Sequence, residues 1–223
     1  MAHQTSKSLR MTLGAILCTG TLFLASSGCN IVTPVAYAIH GPEKVMPMYT
    51  LDKNASTVIF VDDPSSKIAL RRLRYTIADT ATKVLLEQRV LTDMIDPRGI
   101  LAAAGKERHS ERMSITELGK SVGADIVVYA VVTEFSLFPE AGSYTPTATM
   151  RLKVIDVASG ERLWPDNEFG HLFKVAIPQL PSTTGLGASE KIKTESELAA
   201  RAGLGLAQMF YKHEVPETVI TQR

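Results

Sequence analysis

Cysteine is nearly absent: two occur in 223 residues, Cys18 and Cys29. Beyond residue 29 the chain therefore has no disulfide, no thiol nucleophile and no cysteine-ligated metal site. Acidic residues are missing from the first 28 positions, which hold only Lys7 and Arg10 as fixed charges. After the apolar stretch 11–25 there is no second long hydrophobic run, so no later helix is expected to span a membrane. The five histidines are His3, His40, His109, His171 and His213, and no two have the spacing of an H-E-x-x-H zinc helix. A G-x-S-x-G elbow and a P-loop lysine are also lacking. Gly185-Leu186-Gly187 has neither the third glycine nor the strand–helix frame of a dinucleotide fingerprint. No cofactor is expected.

What is present begins with a basic start, an apolar stretch and small residues, the form of a secretory signal peptide. The stretch falls short of the roughly 20 apolar residues of a transmembrane helix. It ends in Leu24-Ala25-Ser26-Ser27-Gly28-Cys29, which resembles the lipobox of bacterial lipoproteins. The resemblance implies cleavage before Cys29, acylation of its thiol and palmitate-class chains on the new N-terminus. Ser26 stands where that family usually has leucine. A competing cut lies at Ala36-Tyr37-Ala38, an A-x-A site that would release a soluble periplasmic subunit. Removing 28 of the 223 residues leaves 195, enough for one domain and a tether. The mature chain would carry 22 basic and 23 acidic residues, the full chain having 24 and 23. Such a near-neutral chain lacks the electrostatic footprint of a nucleic-acid binder.

The expected division is a signal peptide over 1–28, a tether over 29–55, an α/β domain over 56–213 and a tail over 214–223. Pro34, Gly41, Pro42 and Pro47 punctuate the tether, although 44–51 has the makings of an edge strand. Residues 56–62, STVIFVD, read as a strand buried on both faces. Ser65 or Ser66 is placed to cap a helix over 67–88, with Leu70, Leu73, Ile77, Ala81 and Val84 on its apolar face. A short strand at 92–96 and a helix opened by Pro97 follow. Ser114 and Glu117 form a capping box, and Gly123 stops that helix. The run from Asp125 to Leu137 is the most apolar strand and the expected centre of the sheet.

Strict alternation from Thr147 places Ala148, Met150, Leu152 and Val154 on one face. A turn at 158–161 returns the chain as a hairpin through Trp164. Phe169, His171, Phe173, Val175 and Ile177 alternate on a further strand, and 179–188 reads as a loop. The last helix begins at Ser189, with Ile192, Leu198, Ala202, Leu206, Met209 and Phe210 on its apolar side. Gly203 and Gly205 weaken it by roughly 1 kcal/mol each and admit close approach of another element. The fold class is α/β or α+β, a single domain with a mixed sheet of four to six strands and packed helices.

GADIVVYAVV (123–132) and RLKVIDVASGERLW (151–164), with the upstream strand–helix pair, carry a further resemblance. The chain resembles the periplasmic α/β domain shared by the curli-secretion channel lipoprotein, a lipoprotein activator of a penicillin-binding protein and the N-terminal domain of the Tol-system propeller protein. This implies a non-catalytic docking or assembly module in the cell envelope. Its expected partners are the membrane, through acyl chains on Cys29, and an envelope protein or further copies of itself. Asn30, where aspartate would signal inner-membrane retention in enteric bacteria, points the resemblance to the outer membrane. A pore is disfavoured, because membrane strands need about 9–11 alternating residues and only 169–177 approaches that.

Arg71, Arg72 and Arg74 are the candidate partner contact, a cationic cluster suited to an anionic surface, with Lys83 and Arg89 further along the same segment. Asp62 and Asp63 end the first strand, a frequent location of active sites in open α/β sheets, although their ordinary role is to terminate the strand and support the next helix. With His171 they form the alternative of an undetected hydrolase.

Overall fold

The computed structural model describes residues 44–105, 112–139, 144–178 and 187–214. Cys29, the signal region, residues 29–43 of the tether, the polar loop over 106–111, most of the loop over 179–188 and residues 215–223 lie outside the described residues. The described elements run β1 (Lys44–Val45), β2 (Thr57–Asp62), α1 (Arg72–Glu87), α2 (Pro97–Gly105), α3 (Ile115–Ser121), β3 (Ile126–Ser136), β4 (Thr147–Asp156), β5 (Arg162–Trp164), β6 (His171–Ala176), α4 (Ala188–Gln208) and β7 (His213–Glu214). Five strands form one mixed sheet. β2 pairs parallel with β3, β3 antiparallel with β4, and β4 antiparallel with both β5 and β6.

The hydrophobic pattern of each strand follows from which faces the helices cover. α1 and α4 lie on one face, where Ile59, Val61, Val128, Ala130, Met150, Leu152 and Val175 meet Leu73, Ile77, Ala81, Leu198, Ala202 and Leu206. On the opposite face α2 and α3 bury Val58, Phe60 and Val127 with Ile100 and Leu118. Helices thus cover both faces of β2 and of the first half of β3, which is why those segments are apolar without alternation. The second face of β4 is wetter: Arg151 and Lys153 are only partly buried, and alternation appears there.

Local signals act as read. Ser114 Oγ accepts from the Glu117 backbone N–H at 3.2 Å while Glu117 Oε2 accepts from the Ser114 N–H at 2.7 Å. Gly123 takes φ +75° just beyond α3, a conformation open to glycine at little cost. A Cβ on Gly203 would overlap the Ile77 carbonyl oxygen and lie 2.8 Å from Thr80 Cβ, so α4 and α1 cross with nothing but hydrogen between them there.

Three expectations are corrected. The first long helix begins at Arg72, not Lys67, and neither serine caps it; the Asp63 carboxylate instead accepts the backbone N–H groups of Lys67 and Ile68, each at 2.8 Å, and closes a turn. Phe169 is 75% exposed, because the turn at Gly170 (φ +84°) precedes the strand. Ile192 also faces solvent, one turn into α4. The edge strand expected within 44–51 is β1, which pairs with β7; the Met48 N–H donates to the Met209 carbonyl at 2.8 Å, and Leu51 is in the core. β7 joins His213, the last residue of the expected domain, to Glu214, the first of the expected tail.

Candidate functional site

At the carboxyl end of β2 the chain turns toward α1 on one face of the sheet, while α2 and α3 cover the other. Crevices outside the carboxyl ends of strands are the usual ligand sites of open α/β sheets. Here the crevice is an open cleft of about 590 Å³. Asp62, Asp63, Arg71 and Arg74 form one wall, and Leu101, Ala104, Arg112, Met113 and Ile115 form the other, above Phe60 and Leu118.

The charged groups divide into those already engaged and those that are not. Both oxygens of Asp63 hold the turn backbone. Asp62 Oδ2 accepts from the Tyr129 hydroxyl at 3.0 Å, and Oδ1 lies 3.7 Å from the Arg74 guanidinium. Arg74 Nε–H also donates to the Val61 carbonyl at 3.0 Å. That contact covers part of the outer edge of β2, an edge that would otherwise offer an unpaired acceptor. The same edge is closed lower down, where the Ile95 N–H donates to the Thr57 carbonyl at 2.9 Å. Burial, and then the Asp62 carboxylate, hold the Tyr129 hydroxyl protonated well above the usual phenol range. Arg71 and Arg112 make no ion pair within 4.0 Å among the described residues.

The arginine trio of the sequence thus separates. Arg71 and Arg74, three residues apart, share a helical face and reach the cleft. Arg72 lies a helical step of about 100° from Arg71 and is exposed outside the cleft. Lys83 belongs to an i,i+4 pair with Asp79 at 2.7 Å, an ordinary solvated contact. Arg112 and Tyr129 are the residues that the sequence reading missed. A tyrosine within the apolar run IVVYAVV was the available signal, since a buried hydroxyl needs a partner. Nothing local marks Arg112.

Asp62, Asp63 and His171 do not converge. His171 pairs with Leu152 on β4, and three inter-strand steps of roughly 4.8 Å separate β6 from β2. Its ring lies 5.1 Å from that of Trp164, tilted by 37°, and it alternates with Leu172 onto the face covered by α4, whereas Asp62 meets Tyr129 on the other face. Burial lowers the His171 pKa. Among the described residues no group of three or more His, Cys, Asp or Glu is placed to hold a metal ion, and no helix is long and apolar enough to cross a membrane.

Fold and cleft together define a mixed α/β domain with a charged crevice at the end of a parallel strand. No protein-family model matches the chain, and no curated protein matches it. Among solved structures it is similar to the PelC dodecamer from Paraburkholderia phytofirmans, at 13% identity over 77% of this chain and 97% of that one, TM-score 0.41. It is also similar to a lipoprotein from Neisseria meningitidis, at 14% identity over 65% of this chain and 98% of that one, TM-score 0.40. The C-terminal domain of LpoB from Salmonella enterica aligns at 14% identity over 66% of this chain and 94% of that one, TM-score 0.33. Lipoproteins occur among these similar structures.

Proposed function

We propose that the chain is a lipid-anchored envelope protein whose α/β domain docks an anionic partner and does no chemistry of its own. Acylated Cys29 holds it to a membrane, the outer membrane by the Asn30 criterion, with the domain in the periplasm. Several acyl chains anchor stably where a single chain binds only marginally. One observation carries the docking reading: Arg71 and Arg112 line an open cleft whose two carboxylates are already engaged. Two exposed cations that form no ion pair among the described residues favour association with an anionic surface, through faster encounter and charge-assisted hydrogen bonds.

The test is crosslinking of the native protein in cells, followed by mass spectrometry of what is joined to it. The expected result is one foreign partner, lost when Arg71→Gln and Arg112→Gln are combined. A ladder of the protein's own copies, unchanged in the double variant, would overturn the docking reading in favour of self-assembly.

A further inference from the structure

We propose that the cleft holds the carboxyl terminus of a partner protein, with the terminal carboxylate on Arg71 and Arg112 and the last side chain, an apolar one, on the wall that Arg112 shares with Leu101 and Ile115. This rests on the docking reading and specifies its chemistry.

Three features of the cleft select that ligand. The charge that remains is small and local. Of three guanidinium groups, Arg74 is occupied by the Val61 carbonyl and Asp62, and among the described residues Arg71 on one wall and Arg112 on the other make no ion pair. A single carboxylate, with two oxygens and about four acceptor sites, can take hydrogen bonds from both. A long polyanion would need a continuing cationic track, and the rest of the lining is different in kind. Leu101, Ala104, Met113 and Ile115 are apolar and only partly buried, so they offer contact area that a purely polar ligand would leave wet. Size is the third constraint. A volume of about 590 Å³ is within the range of roughly 300–1,000 Å³ for small-ligand pockets and holds a few residues of peptide.

A chain terminus meets all three requirements with one residue, because its carboxylate and its side chain share the same Cα. An internal acidic residue would need a second residue to fill the apolar wall, and would bring further backbone polar groups into the cleft. Capture of a terminal carboxylate is an established mode of peptide recognition. Arg72, exposed one residue away and outside the cleft, provides an internal control for charge alone.

The experiment is calorimetric titration of the full chain in detergent with acetyl-Ala-Ala-Leu bearing a free carboxylate, and with the same peptide as its C-terminal amide. The amide should bind about tenfold more weakly or worse, the loss expected for a charge-assisted pair. Arg71→Gln and Arg112→Gln should each weaken the free acid by a factor of about five to ten, with Arg72→Gln unchanged. Equal binding of acid and amide, no binding of either, or a loss with Arg72→Gln as large as with Arg71→Gln would overturn the inference. If partner crosslinking in cells depends on Arg71 and Arg112 while neither peptide binds, the docking reading stands and the carboxylate assignment fails.

Discussion

Gly203 in α4 touches the backbone of Ile77 in α1, so that a methyl group at position 203 would overlap the Ile77 carbonyl oxygen. The obstacle is backbone, which cannot rotate away as a side chain can. Gly203→Ala gains about 1 kcal/mol of helix propensity but incurs an overpacking cost of about 1–3 kcal/mol, so a net loss of roughly 1 kcal/mol is expected. Gly105→Ala meets nothing within 4 Å and should be neutral or stabilising. Urea midpoints of the two variants check the contrast.

The Tyr129 hydroxyl braces Asp62 in the wall of the cleft. Tyr129→Phe removes one hydrogen bond to a charged, partly buried carboxylate and should cost about 1.5 kcal/mol. If Arg74 alone held Asp62, the variant would unfold at the wild-type urea concentration.

His171 gives a pH dependence of definite sign. Burial lowers its pKa below the ordinary 6.5, so below that pH the unfolded chain binds the proton more readily than the folded one. Stability should therefore fall as the pH drops below 6.5 toward the lower folded value. His171→Gln should flatten that part of the stability curve. A curve between pH 5 and 7 with the same slope in both proteins would show that another group titrates there.

Cys29→Ala should abolish incorporation of labelled fatty acid and move the protein from the membrane fraction to the soluble one. Labelling that persists would sink the lipid-anchor proposal. A wild-type chain that carries no label and begins at Ile39 would instead establish the cut after Ala38.

Features that depend on near neighbours were legible in the sequence. The Ser114–Glu117 box spans three residues, and the alternation from Ala148 to Val154 needs only one strand to be seen. Gly203 was readable as a point of close approach, but not its contact with Ile77, 126 positions away. The start of α1 was misread because Ser65 and Ser66 are good caps by type, whereas Asp63 offers two acceptors to the same turn. The cleft was only half legible. Arg71 and Arg74 lie together in the chain, but Tyr129 reaches Asp62 across 67 residues. Such a contact is fixed by the β2–β3 register, which pairs Asp62 with Val131 and so brings Tyr129 alongside. Alternation alone likewise could not locate the turn at Gly170 that leaves Phe169 outside.

The pairing of Lys44 with Glu214 and Val45 with His213 brings the entry and exit of the domain side by side. This sets a mechanical order. A pull applied through the chain before Lys44 loads β1 first, and a two-residue antiparallel pair opens one rung at a time, as a zipper does. The next contacts in line are those of Met48 and Tyr49 with the Met209 carbonyl. Both give way before the five-stranded sheet is disturbed, so these first contacts act as a fuse ahead of the core.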